Sequence, residues 1–322
     1  MKIKYYAAPM EGLTGYLFRP IHNEIFGGAD RYFTPFVSPN ATCKFQTKEL
    51  DELQHNGGMA VVPQILTNCS EHFLWAAREM WEMGYREVNF NLGCPSGTVT
   101  AKRKGAGALA YPDELDRMLG EIFAGLPQGM GVSVKTRIGK ESPEEWGRLL
   151  EIYNRYPLTE LIVHPRVQKE FYRGRARREM AGEILAATEL PVCYNGDVFS
   201  PEDARAVEGD YPQLSAVMVG RGLVTDPALL RRIRGGTPAS REELRQFHDR
   251  LFEAYCRRLS GDLNAIYRMR ELWNYLSGSF TAPDDFLKRV RKAKTRTDYL
   301  SAVERLFGEN ALNPHPLPPP GK

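Results

Sequence analysis

A chain of 322 residues with 42% apolar and 26% charged content can bury the core of one large domain and a smaller appendage, and its composition is neither disordered nor membrane-like. Lys and Arg number 43 against 40 Asp and Glu, a net charge of +3 that permits a nucleic-acid partner without demanding one. Five scattered cysteines (Cys43, Cys69, Cys94, Cys193, Cys256) without a C-x-x-C pair argue against a disulfide framework or a structural zinc. With no apolar run of bilayer length, they predict a metal-free cytoplasmic protein that is not bound to a membrane.

The opening, Met1–Met10, lacks the apolar stretch and cleavage site of a signal peptide. Strands are predicted at Ile3–Ala8, Tyr32–Phe36, Val61–Leu66, Glu87–Asn91, Val132–Thr136, Leu161–His164, Val192–Asn195 and Ala216–Val219. Several read as continuous apolar runs, which suits parallel strands covered by helices. Helix signals fall between them. After Ser70, the residues Phe73, Leu74, Ala77, Met80 and Trp81 share one helical face. Ser142-Pro143-Glu144-Glu145 and Ser200-Pro201-Glu202-Asp203 each combine a capping residue, a proline in the first turn and an acid three residues on. Strand then helix, about eight times over roughly 230 residues, predicts an α/β fold, the (β/α)8 TIM barrel. A linker at Gly235–Ser240 divides the barrel, 1–238, from a charged helical domain, 239–310. The Pro-rich tail, 311–322, is expected to be disordered.

In such a barrel the functional face is the C-terminal end of the strands. Strand ends here deliver Pro9-Met10-Glu11, Gln64, Asn91 with Cys94, Lys135 with Arg137, His164 with Arg166, Asn195-Gly196-Asp197, and Gly220-Arg221. A ring of polar groups is costly to bury unless a ligand or network satisfies it, so a ligand site is expected at this rim. The glycine turns after the last two strands fall where barrels often bind phosphate, and Arg221 can add a charge-assisted bond. Lys135 could stabilise the anion of a reduced flavin or be salt-bridged within the barrel. His164 could bond a cofactor as a neutral imidazole or be structural.

These segments, in order, resemble the tRNA-dihydrouridine synthases: APMEGLTG at 8–15, VPQIL at 62–66, NFNLGCPSGTV at 89–99, KGAGALA at 104–110, VSVKTRIG at 132–139, VHPR at 163–166, NGDV at 195–198 and VGRG at 219–222. The resemblance implies a barrel holding FMN and a helical domain that grips tRNA, with NADPH or NADH as reductant. It implies that Pro9, Met10 and Glu11 line the flavin ring and that Gln64 and Lys135 meet its polar edge. It assigns His164, Asn195, Gly196, Asp197, Gly220 and Arg221 to the ribityl phosphate, Cys94 to proton donation and Asn91 to the target uracil. Lys102, Arg137 and Arg166 are expected to contact substrate. Many family members carry His-Gly-Arg-Thr where this chain has His164-Pro165-Arg166-Val167, which removes a backbone donor.

Three basic clusters suit an RNA partner: Lys102–Lys104; Arg166, Lys169, Arg173, Arg175, Arg177 and Arg178; and Lys288, Arg289, Arg291, Lys292, Lys294 and Arg296. A monomer is expected. The rival function is another FMN barrel oxidoreductase acting on a free pyrimidine or enone.

Overall fold

The structure, a computed structural model, describes residues 2–319. Its strands are β1 (Lys4–Ala7), β2 (Arg31–Phe33), β3 (Val61–Val62), β4 (Gln64–Ile65), β5 (Glu87–Leu92), β6 (Gly131–Arg137), β7 (Glu160–His164), β8 (Val192–Tyr194) and β9 (Ala216–Val219). All pair in parallel in the order β3-β2-β1-β9-β8-β7-β6-β5-β4. The single predicted strand at Val61–Leu66 is two strands because Pro63 has no N–H for the ladder. Val62 pairs with β2 and Gln64 with β5, so the sheet closes at this proline into the predicted TIM barrel.

Outward side chains such as Val88, Phe90, Leu92, Val132 and Val134 pack with the surrounding helices in the main apolar core. The apolar cluster inside the barrel is small, built around Tyr6, Phe33, Val62, Ile162 and Met218. Above it the interior turns polar. Glu-Val-Asn-Phe-Asn-Leu in β5 and Val-Ser-Val-Lys-Thr-Arg in β6 alternate strictly, so Asn89, Asn91, Ser133, Lys135 and Arg137 share the face opposite the outer core. In register, Gln64 lies beside Asn89, Asn89 beside Ser133, and Asn91 beside Lys135.

Both predicted caps organise their helices. Ser200 Oγ accepts the Asp203 N–H at 3.1 Å and Asp203 Oδ2 accepts the Ser200 N–H at 3.0 Å, starting the Pro201–Asp210 helix. Glu145 accepts the Ser142 N–H at 2.9 Å ahead of the Trp146–Tyr153 helix.

Among the described residues four α-helices follow the linker: Arg241–Arg258, Asp262–Leu276, Asp284–Lys292 and Arg296–Glu309. Their core is shared with the barrel. Phe247 meets Phe18 edge-on at 5.4 Å and Phe26 at 5.5 Å, both on or beside the Phe18–Ile25 helix. Of the tail expected to be disordered, Ala311–Asn313 are held by backbone pairing. Asn313 N–H donates to Ser279 O at 2.8 Å, Thr281 N–H donates to Ala311 O at 2.9 Å, and Leu312 bridges Phe280. Pro320–Lys322 lie outside the described residues. Among the described residues no helix is long and apolar enough to cross a membrane.

Candidate active site

The barrel mouth opens into a cavity of about 310 Å³, within the range of small-molecule and cofactor sites. Of the residues expected there, Pro9, Met10, Glu11, Gln64, Asn91, Cys94, Lys135, Arg137, His164, Asn195, Gly196, Asp197, Gly220 and Arg221 line it. Lys102 is exposed and stands outside the wall. Arg166, expected to touch substrate, is fully buried behind it. Its guanidinium donates to Asp197 Oδ1 (3.0 Å) and Oδ2 (2.7 Å), His164 Nε2 (2.9 Å) and Gly174 O (2.8 Å). A buried cation with this many donors must be satisfied inside the protein, and these bonds satisfy Arg166 within the wall. Arg137 faces the cavity but is 1% exposed, and its donors go to the carbonyls of Gly93, Val167 and Phe171 at 2.9–3.0 Å.

The thiol sits on a heavily anchored loop. Asn91 Oδ1 accepts the N–H groups of Gly93 (3.0 Å) and Cys94 (2.9 Å). That fixes the orientation of every amide behind it. Asn91 Nδ2 donates to Gln64 Oε1 (2.7 Å), Gln64 Nε2 to Asn89 Oδ1 (2.7 Å), and Asn89 Nδ2 to Ser133 Oγ (3.0 Å). A one-way chain of hydrogen bonds thus runs through the barrel interior to the backbone of Cys94. The Lys104–Ala110 segment closes on the same loop. Ala106 N–H donates to Cys94 O at 3.1 Å, and a Cβ on Gly105 (φ +54°) would lie 2.9 Å from that carbonyl. On Gly107 a Cβ would meet Thr100 O at 2.5 Å, so both glycines are required by close approach. Burial pushes the Cys94 thiol above its ordinary pKa, against the opposing pull of Arg137 and Lys135, so it stays protonated at neutral pH.

The opposite wall is cationic. Arg166 can only donate, so His164 Nε2 is the acceptor and Nδ1 carries the proton. Burial, then Arg137, Lys135, Arg166 and Arg221, hold His164 neutral, well below its ordinary pKa. Asp197, expected at phosphate, organises cations: Arg166 takes both its oxygens, Arg221 Nη2 donates to Oδ1 at 2.7 Å, and Ala176 N–H donates to Oδ2 at 3.0 Å. Burial raises this carboxyl, but those bonds outweigh it and hold it below its ordinary value. Arg221 also lies over Tyr172, 4.6 Å from the ring centre. Lys135 lines the cavity, and among the described residues no carboxylate pairs with it. Burial, helped by Arg137, lowers its pKa to about 8.

Other expected residues have contacts within the protein as well. Glu11 is exposed at the rim and pairs with Lys48 at 2.6 Å. Asn195 Nδ2 donates to Met218 O, tying β8 to β9. A Cβ on Gly196 would fall 1.9 Å from Tyr194 Oη, so this glycine serves packing. Asn89 and Ser133 were missed as site residues, although the alternation of β5 and β6 places them on the interior face. Tyr172, Phe199 and Tyr275 also line the cavity, and Tyr275 arrives from the helical region. No local pattern in the sequence signals them.

The basic clusters are only partly available. Arg103 pairs with Glu114, Arg177 with Glu170, Arg178 with Asp210, Arg289 with Asp285 and Arg296 with Glu253. Lys102, Lys169, Arg173, Arg175, Lys288, Arg291, Lys292 and Lys294 are exposed.

The Dihydrouridine synthase (Dus) family matches residues 6–307. A tRNA-dihydrouridine(16) synthase of Cupriavidus necator is 30% identical over 252 residues, covering 74% of this chain and 77% of the relative. One from Shigella flexneri is 28% identical, covering 93% and 97%. The Bacillus subtilis "Probable tRNA-dihydrouridine synthase 2" is 28% identical, covering 68% and 69%. Among solved structures, histamine dehydrogenase from Rhizobium sp. 4-9 is similar with a TM-score of 0.54 at 11% identity, covering 77% of this chain and 49% of that one. Morphinone reductase gives 0.50 at 13% identity, covering 76% and 88%. At such identity these two show a shared fold alone. The family match favours tRNA uridine over the rival free pyrimidine or enone. A thiol held at a polar, cationic barrel mouth is therefore the setting of a flavin-dependent oxidoreductase acting on uridine in tRNA, and the chain belongs to the dihydrouridine synthase family.

Proposed function

We propose that this enzyme binds FMN in the barrel mouth, takes its electrons from NADPH, and saturates the C5–C6 bond of the uridine at position 16 of tRNA. The observation that carries the cofactor reading is Lys135, a cavity-lining cation without a carboxylate partner among the described residues. A partly buried, unpaired cation favours an anionic or electron-rich ligand edge. The rest of the wall fits the same group. Pro9 and Met10 offer an apolar bed for the ring, and Gln64 and Lys135 meet its polar edge. Arg221 and the His164 Nδ1–H suit a phosphate. Asp197 would repel a phosphate directly and acts by aiming Arg221.

FMN, when bound and reduced, supplies a hydride to C6. The chain's own residues do the rest. Cys94 delivers a proton to C5, a task suited to a thiol kept protonated by burial. Asn91 has one N–H beyond its bonds to Gln64 and the thiol loop, enough to orient a uracil carbonyl. The exposed cations of the three clusters take tRNA phosphates.

Support for position 16 comes from the helical region, which would set how tRNA lies across the mouth. The alignments reaching through it, from Shigella flexneri (93% of this chain), Pseudomonas putida (94%) and Shewanella oneidensis (92%), are all to proteins named for position 16. The test is to incubate the protein with NADPH and tRNA lacking dihydrouridine, then map the product by mass spectrometry. Dihydrouridine at position 16, with FMN released on denaturation, is expected. No product in any tRNA defeats the reading, and product elsewhere defeats the position.

A further inference from the structure

Phe171 stands in the segment after β7 and is 36% exposed, although phenylalanine is usually turned inward. Its backbone adopts φ 52°, ψ −101°, a region closed by steric clash to nearly every residue but glycine. Such strain persists only where surrounding contacts impose it, and it gathers at functional sites. Here the contacts are plain. Phe171 N–H donates to Gln168 O at 3.1 Å, and Phe171 O accepts from Arg137 Nη2 at 2.9 Å. The same guanidinium donates through Nε to Gly93 O, beside Cys94, at 3.0 Å. One buried cation therefore ties the exposed ring's backbone to the thiol loop.

Among the described residues no cation lies over the Phe171 ring. Among the described residues no aromatic partner stacks on it, while its neighbour Tyr172 lines the cavity. Lys169, Arg173 and Arg175 around it are exposed. An exposed aromatic residue framed by cations, next in the chain to the cavity-lining Tyr172, has the chemistry of a base-stacking platform between phosphate contacts. Drawing a base out of its stack leaves the neighbouring base without a partner. We propose that Phe171 stacks on the nucleobase adjacent to the uridine that enters the cavity, holding the RNA open at a fixed distance from Cys94. This rests on the tRNA reading above.

The flavin-loaded enzyme tests it. Phe171→Ala lowers kcat/KM for tRNA about tenfold, the usual weight of one base–aromatic stack, and leaves NADPH oxidation by oxygen unchanged. Phe171→Gly, which relieves the backbone strain, is at least as heat-stable yet loses the same tRNA activity. Phe171→Trp restores that activity, and its added fluorescence is quenched when tRNA binds. Unchanged tRNA turnover in Phe171→Ala, an equal loss with oxygen, or an unquenched tryptophan overturns the inference. Failure of the unaltered enzyme to reduce any tRNA is a separate result that removes the reading beneath it.

Discussion

The barrel and the helical region each bury a directed chain of hydrogen bonds, and the two end differently. In the helical region Trp273 Nε1 donates to Tyr299 Oη (2.9 Å), Tyr299 bonds His248 Nε2 (2.8 Å), His248 Nδ1 bonds Asp249 Oδ1 (2.7 Å), and Arg245 closes on Asp249 (2.8 Å). Every polar group in that chain is matched by another, and it stops at a surface ion pair. In the barrel, Ser133, Asn89, Gln64 and Asn91 pass the same kind of order inward to outward, but the last links face a cavity and hold the loop of a thiol. A closed buried network specifies a fold, whereas an open one leaves fixed donors and acceptors for something else to meet.

Removing the group at the open end should have the largest effect. Cys94→Ala is expected to slow tRNA reduction by about 10²–10⁴-fold, the usual loss of a general acid, while NADPH still reduces the bound flavin in stopped-flow traces. Normal turnover by the alanine variant would strip the open network of its purpose.

Acid should strike both regions through their buried histidines. His22, His164 and His248 are all held neutral, chiefly by burial, with pKa values below 6.5 and about 4 for His22. The unfolded chain then binds more protons than the fold as pH drops below 6.5. Their stabilisation is whole above that pH and shrinks as pH falls toward 4. For His22 alone the loss at the lower limit is about 3 kcal/mol. Urea denaturation at pH 7.5 and pH 5 should show a lower midpoint in acid, and equal midpoints would mean these imidazoles protonate within the fold.

A matched pair of deletions sharpens the contrast most finely. Tyr299→Phe strands the Trp273 N–H and His248 Nε2 and should cost about 1–3 kcal/mol of stability, with turnover per folded molecule unchanged. Ser133→Ala strands only one N–H of Asn89, a loss of about 1 kcal/mol, but frees the inner anchor of the chain leading to Cys94. A drop of about two- to fivefold in kcat, roughly 0.4–1 kcal/mol, is expected there. Melting curves and steady-state rates measured on both variants decide it: equal kinetic effects would erase the difference between the regions.

Much of the fold was legible in the chain. The eight predicted strands appear where expected, except that Pro63 splits one, and the Ser142 and Ser200 caps act as their spacing implies. These are local features, set by alternation, capping chemistry and proline over a few residues. The thiol loop was legible as well, because its glycines are needed by contacts within about a dozen residues of Cys94 in the chain. Less of the site's inner logic was readable. Arg137, Arg166 and Asp197, expected as ligand contacts, also bond protein partners up to 44 positions away, which no local pattern announces.

The sequence by itself determined a parallel barrel, its polar rim, the cysteine loop and a helical region after it, because backbone propensity and side-chain period act between near neighbours. Only the tertiary structure decided which cations face the cavity and which are consumed behind it, which nitrogen of His164 carries its proton, and that Tyr275 crosses from the helical region into the wall. Those outcomes depend on burial and on hydrogen-bond partners brought together by closure of the sheet, and a residue's type does not disclose its partner until the chain has folded.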